Sequence, residues 1–286
     1  MADQALPSFD LVVATIGRVE ELERLLQSLA AQTHTGFRVL VVDQNEDDRL
    51  GGVLQRQPSL DLIRLQSSPG LSRARNAALQ QLCGDLVAFP DDDCIFPHDL
   101  LERVAQRFAD RPELDGLTGR AEDERGRSPS WSSVGGTLTR DNLWNRAISF
   151  TIFLRRPVSE RVGPFDEQLG LGSGRPWSSG EEIDYLVRAV AAGARIEFDP
   201  TVVVVHESKD LSPTALRSVG ARDGASIGYI LRKHRYPPRI LGKMFVRPVG
   251  GALRAIATLD GARARFHLAT LGGRVRGDAT SSKSSA

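Results

Sequence analysis

Cysteine is scarce in this chain: two residues in 286, Cys83 and Cys94, each beside apolar sequence. Two such thiols build no disulfide framework, which points to a reduced, intracellular protein. The start of the chain lacks a signal peptide's basic residues and apolar run; Asp3 and Gln4 stand there instead, so export is not expected. No window reaches the ~18–20 uninterrupted apolar residues of a membrane span, and no internal repeat is visible. The expectation is a cytoplasmic protein, soluble or held peripherally on the inner face of the membrane. What is present is ordinary for a globular chain, 41% apolar and 26% charged. The length suits one large core, or one core with an appendage.

Charge is nearly balanced at +1, yet it is unevenly placed. Arg232 to Arg276 holds eleven Lys and Arg against the single acid Asp260, a local excess of +10, so the rest of the chain sums to −9. An anionic membrane surface or a phosphate-rich partner would favour such a segment. A basic helix face that is merely solvated accounts for it too. Nucleic acid is not an expected partner.

The first half alternates between two hydrophobic periods. FDLVVAT (9–15), FRVLVVD (37–43), 60–66 and 86–89 read as strands. Between them, 19–31 places leucines at 22, 25, 26 and 29, an amphipathic helix, and 50–57, 70–82 and 99–111 are also helical. Alternation with short loops predicts a Rossmann-like, mostly parallel central sheet flanked by helices. Beyond, 114–120 and 147–154 are strand-like, 122–141 is a polar loop, and 163–180 carries five glycines, two prolines and Trp177. A helix at 182–192, strands at 195–198 and 202–205, and a helix at 213–234 follow. From Pro237 on, two helices break around Asp260-Gly261. The organisation expected is a main domain at 1–235, with a donor half at 1–120 and an acceptor half at 121–235. A basic amphipathic helical appendage at 236–278 and a disordered Ser-rich tail at 279–286 complete it.

In an open α/β sheet, ligands bind beyond the carboxyl ends of the strands. The chemistry-bearing residues of this chain gather there: Thr15 and Arg18 after the first strand, Asp43 ending the second, and Asp91-Asp92-Asp93 after 86–89. Three adjacent carboxylates repel one another, and a hard divalent cation with oxygen ligands, Mg²⁺ or Mn²⁺, neutralises such a set. Strand alternation predicts that Asp91 and Asp93 point one way and Asp92 the other. A solvated acidic loop is the plainer account of the same residues.

The ordered segments VVATIGRVEELERLLQSLAAQ, VLVVDQNEDD, GLSRARNAAL, GDLVAFPDDDCIFP, VGPFDEQLG and GEEIDYLVRAVAAG resemble a family 2 glycosyltransferase with the GT-A fold. The resemblance runs from about Phe9 to His206. It implies that Thr15, Arg18, Asp43, Arg75 and Asn76 line a nucleotide pocket, with Asp91 and Asp92 beside it. Asp91 and Asp93 match the D-x-D pair, the first acid near the ribose and the second on the metal. His206 resembles a late histidine that joins the metal or the diphosphate. Gly180-Glu181-Glu182 falls where the family places a catalytic acid pair before a helix. The second acid of that pair is usually Asp, and here it is Glu182. The resemblance favours Glu182 as the base by motif alignment, with Glu181 and Asp184 as the other candidates. Acids in a helix's first turn also suit its dipole without any catalytic role.

Gly170, Gly172 and Gly174 with Trp177 would form a wall for the acceptor, glycine admitting close approach and the Trp face stacking on a pyranose. A surface loop with its Trp packed on the core is the alternative. What the resemblance implies is inverting, metal-dependent transfer of a sugar from a nucleoside-diphosphate donor to a hydroxyl of a glycan or lipid-linked saccharide. UDP is favoured because Asp43 could accept a uracil N–H. A sugar nucleotidyltransferase would want a Gly-rich basic loop after the first strand, where 14–18 offers only Gly17. A non-catalytic nucleotide-sugar-binding module, with the fold kept and the chemistry lost, is the third reading, though Asp91, Asp93 and Glu182 are all present.

Overall fold

The computed structural model describes residues 5–128, 131–207 and 211–280. In chain order the elements are β1 Phe9–Thr15, α1 Glu20–Ala30, β2 Phe37–Asp43, α2 Gly51–Gln55, β3 Leu62–Gln66 and α3 Leu71–Leu79. Then come β4 Leu86–Ala88, β5 Cys94–Ile95, α4 Leu100–Asp110, β6 Gly116–Glu122, β7 Gly136–Thr137 and β8 Ile152–Arg155. The last are α5 Arg156–Val162, α6 Glu181–Ala191, β9 Ile196–His206, α7 Pro213–Lys233, α8 Pro238–Ala257 and α9 Gly261–Thr280. They divide into two compact units. The first comprises Met1–Phe165 with Tyr185–Ser208, and the second Asp166–Asp184 with Lys209–Ala286.

The first unit is α/β. Its sheet runs β3-β2-β1-β4-β8-β6-β9-β5, with β7 paired to β9. Among the described residues β3, β2, β1 and β4 are mutually parallel, the arrangement that helical crossovers impose. β8 is inserted antiparallel between β4 and β6. The stretch expected as one strand over 147–154 enters instead through a 3-10 turn, Ser149–Thr151, and only then becomes β8. The 122–141 loop contributes the two-residue β7.

The core follows from the periods. Leu22, Leu25, Leu26 and Leu29 of α1 are all buried, as are Leu100, Leu101, Val104 and Phe108 of α4. They close over Leu11, Val13, Val39 and Val41, the inward positions of β1 and β2. Each such side chain contributes roughly 1.5–3 kcal/mol of burial. Beneath this layer Asp10 is buried too. It accepts from the backbone N–H groups of Cys83 (2.6 Å) and Gly84 (2.8 Å) and pairs with Arg38, fixing the approach to β4.

The second unit is helical, and α7 belongs with α8 and α9, so the boundary expected at 235 falls inside it. Its seam is glycine against backbone. A Cβ at Gly224 would lie 2.2 Å from the Thr270 carbonyl oxygen, one at Gly228 2.2 Å from that of Arg274, and one at Gly277 1.9 Å from that of Ala225. The contacts advance together along both helices, so α7 and α9 run parallel with their backbones touching. Only glycine permits that approach. No helix among the described residues is long and apolar enough to cross a membrane. The expected tail lies, from 281 on, outside the described residues.

Gly224→Val is expected to cost about 3 kcal/mol or more by overpacking this seam. Gly242→Ala, in a stretch of α8 with open space around it, should instead stabilise by roughly 0.5–1 kcal/mol. Urea denaturation followed by circular dichroism checks both.

Candidate active site

In the α/β unit the expected residues do converge at the carboxyl ends of β1, β2 and β4. β1 and β4 continue their parallel pairing through an isolated bridge between Ala14 and Asp91. There the chain leaves the extended form and turns at Asp92 and Asp93. The turn overrides the expected alternation. Asp92 and Asp93 both meet Arg18, whose Nη1 lies 2.6 Å from Asp92 Oδ1 and 2.7 Å from Asp93 Oδ2. Asp91 goes elsewhere, to Arg75 Nη2 (3.2 Å) and to the Ser149 hydroxyl, which donates at 3.0 Å.

These carboxylates are strongly affected by burial. Asp92 is 6% exposed, and desolvation raises its pKa despite the Thr15 hydroxyl and the Arg18 guanidinium, which favour the anion. Burial works against the charge on Arg18 as well, but Asp92 and Asp93 prevail and hold that guanidinium above its ordinary value.

His206 reaches Asp93 through sheet register. In the antiparallel β5–β9 pair, Cys94 stands opposite His206 and Ile95 opposite Val205. The imidazole Nε2 is 3.1 Å from Asp93 Oδ1, and its ring stacks on Phe150 with centroids 5.0 Å apart. Asp93, Cys94 and His206 offer ligand atoms within 4.8 Å of one another. Asp93 offers the carboxylate oxygen that suits Mn²⁺ or Mg²⁺, with the His206 imidazole beside it. The Cys94 thiol is buried and desolvation pushes it well above its ordinary value, so it stays protonated and is a poor ligand for a hard cation.

Asp43 differs from expectation. It is fully buried. Oδ1 accepts from the Asn45 backbone (2.8 Å) and amide (2.7 Å), while Oδ2 accepts from Arg64 (2.6 and 3.0 Å) and Gln66 Nε2 (3.2 Å). A carboxylate has about four acceptor positions, so no acceptor is left for an incoming base. Asp43 anchors the site instead. Asn45 passes the anchor on, accepting from the Gly17 N–H at 2.7 Å where that residue turns at φ +71°. Beside it a cavity of about 420 Å³ is lined by Asn45, Asp48, Arg64 and Gln66.

Arg75 and Asn76 also face the protein. Arg75 is 1% exposed beneath the Phe89 and Phe165 rings. Asn76 bonds the Phe165 backbone in both directions, at 2.7 and 3.0 Å. Both brace the site from below.

The remaining candidates lie in the second unit. Gly170, Gly172, Gly174 and Gly180 all have φ between +70° and +86°, a backbone that favours glycine. Trp177 is buried, stacked on Tyr229 with centroids 5.0 Å apart. That face is therefore not open to a sugar as expected, because aromatic stacking inside the unit already covers it. In the first turn of α6, Glu181 is 4% exposed and Asp184 0%, while Glu182 is half-buried. Asp184 Oδ1 holds both Lys233 Nζ and His234 Nε2 at 2.7 Å. It fastens the 181–184 turn to the end of α7 within the second unit, a structural role its spacing from Glu181 did not disclose. Lys233 continues to Asp166 Oδ2 at 2.7 Å, which also accepts from the Tyr229 hydroxyl at 3.1 Å.

Sequence reading missed Ser149, Phe150, Arg64, Gln66, Lys233 and His234. Asn45 had a signal, as D-x-N is an Asx-turn spacing. The others meet the site only through long-range packing.

Asp43→Asn should destabilise by about 2 kcal/mol near neutral pH, since hydrogen bonds to a charge are lost. Burial favours protonation of Asp43, but the Asn45 N–H groups and Arg64 outweigh it and hold its pKa below the ordinary range. Its contribution is then complete above about pH 4 and disappears as pH falls through the folded value. The stability gap between wild type and Asp43→Asn, from urea melts, should close on acidification. Asp184→Ala should cost about 2 kcal/mol by removing the buried acceptor shared by Lys233 and His234, whereas Glu182→Gln should melt like wild type.

Comparison with known proteins agrees with this architecture. Glycosyltransferase AglE of Haloferax volcanii is 24% identical over 216 residues, 71% of this chain and 68% of its own. Mannosyltransferase PcManGT from Pyrobaculum calidifontis, solved with GDP-Man and Mn²⁺, superposes with a TM-score of 0.65 at 15% identity, over 96% of this chain and 88% of that one. S. aureus TarS 1–349, solved with UDP-GlcNAc, superposes with a TM-score of 0.59 at 20% identity, over 94% of this chain and 91% of that one. The family model for glycosyl transferase family 2 matches residues 10–162, more than half of the chain and every strand end that carries the acids. With that match over the α/β architecture described above, the chain belongs to glycosyl transferase family 2 and has the GT-A fold.

Proposed function

We propose that this enzyme moves a sugar from a nucleoside-diphosphate donor to a hydroxyl of a glycan or lipid-linked saccharide, with inversion and with Mg²⁺ or Mn²⁺. The observation that carries the reading is the pairing of Asp93 with His206 beside Arg18 at the end of β1 and β4. Asp93 and His206 would hold the cation, with Asp91 and Asp92 nearby. When bound, the cation supplies charge neutralisation for the departing diphosphate. Arg18 adds a guanidinium at the same carboxylates.

For the base of the nucleotide we propose uracil, recognised by Gln66 rather than by Asp43. Gln66 spends its amide N–H on Asp43, which fixes the amide's orientation and leaves Oε1 as an acceptor for a uracil N–H. That TarS 1–349 was solved with UDP-GlcNAc supports UDP, and that PcManGT was solved with GDP-Man makes GDP the alternative to test.

Glu182 is the proposed base. It takes the proton of the acceptor hydroxyl while that oxygen attacks the anomeric carbon and the nucleoside diphosphate leaves. A base must reach its proton, and of the three acids of this turn Glu181 and Asp184 are buried while Glu182 is only half-buried. The helical unit would seat the enzyme peripherally on a membrane, near a lipid-linked acceptor.

Calorimetry with Mn²⁺ and UDP should show binding to the wild type and loss of the Mn²⁺ heat in Asp93→Ala. Glu182→Gln should lower transfer by about a hundredfold or more while leaving UDP affinity unchanged. Equal damage to both would assign Glu182 a structural role, and wild-type protein that binds neither ion nor nucleotide would leave the fold without the activity.

A further inference from the structure

The outer face of α8 has a composition that its unit does not use. Val246, Val249, Leu253 and Ile256 are 66%, 40%, 64% and 57% exposed. Their spacing of three, four and three residues sets them in one stripe along the helix. Immediately beside it, at spacings of four and seven, runs a second stripe of Arg239, Lys243, Arg247 and Arg254, all exposed. α8 contains no acidic residue. Its opposite face, with Ile240, Met244, Ala252 and Ala255, is buried within the unit.

The positive potential extends off the helix. A cavity of about 800 Å³ between α7, α8 and α9 is lined by Arg247, Arg254, Arg263 and His267, and among the described residues no carboxylate lines it. Arg263 pairs only loosely with Asp260, at 3.5 Å. Burial, with Arg247 nearby, pulls the Arg274 guanidinium down to about 10. On α8 and around this cavity positive charge outweighs negative.

We infer that α8 lies in the plane of an anionic bilayer, its apolar stripe among the acyl chains and its basic stripe on lipid phosphates, with a headgroup received by the arginine-lined cavity. This rests on the peripheral placement proposed above and names the surface that performs it. An exposed aliphatic stripe would be covered equally well by any apolar partner. The four cations along one edge select a flat surface of fixed negative charge, since each Lys or Arg near anionic lipid adds favourably to binding. In-plane insertion also needs no spanning helix, and among the described residues no helix is long and apolar enough to be one.

Sedimentation of the full chain with vesicles of phosphatidylcholine, and of phosphatidylcholine mixed with phosphatidylglycerol, tests this. Binding to the anionic vesicles should exceed binding to the neutral ones by at least about tenfold and weaken with salt. Val249→Asp with Leu253→Asp should reduce it about tenfold or more, and Arg247→Glu with Arg254→Glu should do likewise while flattening the salt dependence. Both pairs should keep wild-type circular dichroism and wild-type UDP binding. Absence of vesicle binding, equal binding to both compositions, or variants that bind like wild type would overturn the inference. So would a stable dimer, by sedimentation equilibrium, that the aspartate pair dissociates while the wild type ignores vesicles. UDP binding is measured without lipid, so its persistence alongside failed vesicle binding removes this inference and leaves the catalytic reading standing.

Discussion

Three adjacent carboxylates at the end of a buried strand repel one another and lose hydration, and the α/β unit is arranged around resolving that conflict. Arg18 sits between Asp92 and Asp93, while Asp91 is drawn to Arg75 and Ser149. His206 arrives on the remaining oxygen of Asp93. Charge is thereby matched locally, yet Asp93 and His206 still present oxygen and imidazole donors side by side. A buried ion pair of this kind does not by itself add much stability, because desolvation offsets the attraction. Its value is positional, holding Arg18, Asp92, Asp93 and His206 together at the ends of β1 and β4.

Support for those charges comes from outside the motif. Arg75 lies under two phenylalanine rings, and Asn76 spends both ends of its amide on the Phe165 backbone. Asp43 is saturated by Asn45, Arg64 and Gln66, so the residue expected to read the base positions the residues beside the cavity instead. The helical unit follows a similar logic with different means. Asp184 gathers Lys233 and His234, and the glycine seam brings α7 onto α9. Glu182 stands in the same turn as Asp184 but is only half-buried, so burial separates the fastening acid from its neighbour.

The strands and helices of the first half were legible because burial on a sheet or a helix face imposes periods of two or 3.6 on the residues that make it. Leu22, Leu25, Leu26 and Leu29 could hardly be anything but an inward helix face. The strand-end positions of Thr15, Asp43 and Asp91 were legible for the same reason, since a period that stops marks where an element ends. Alternation failed at Asp92, because the chain had already turned and the rule holds only while the backbone stays extended. Trp177 read as a sugar platform because its type suits one; Tyr229, 52 positions on in the numbering, occupies that face.

The sequence by itself determined the α/β class, the ordered acids at the strand ends, and the basic bias of the C-terminal third. Each of these is written in local pattern or composition. Only the tertiary structure decided which carboxylate meets which cation, that Asp184 is a fastener, that α7 belongs with the last two helices, and which side of α8 is left bare. Those outcomes depend on contacts between residues far apart in the chain. An energy that arises only when two distant groups touch leaves no periodic trace in either segment alone.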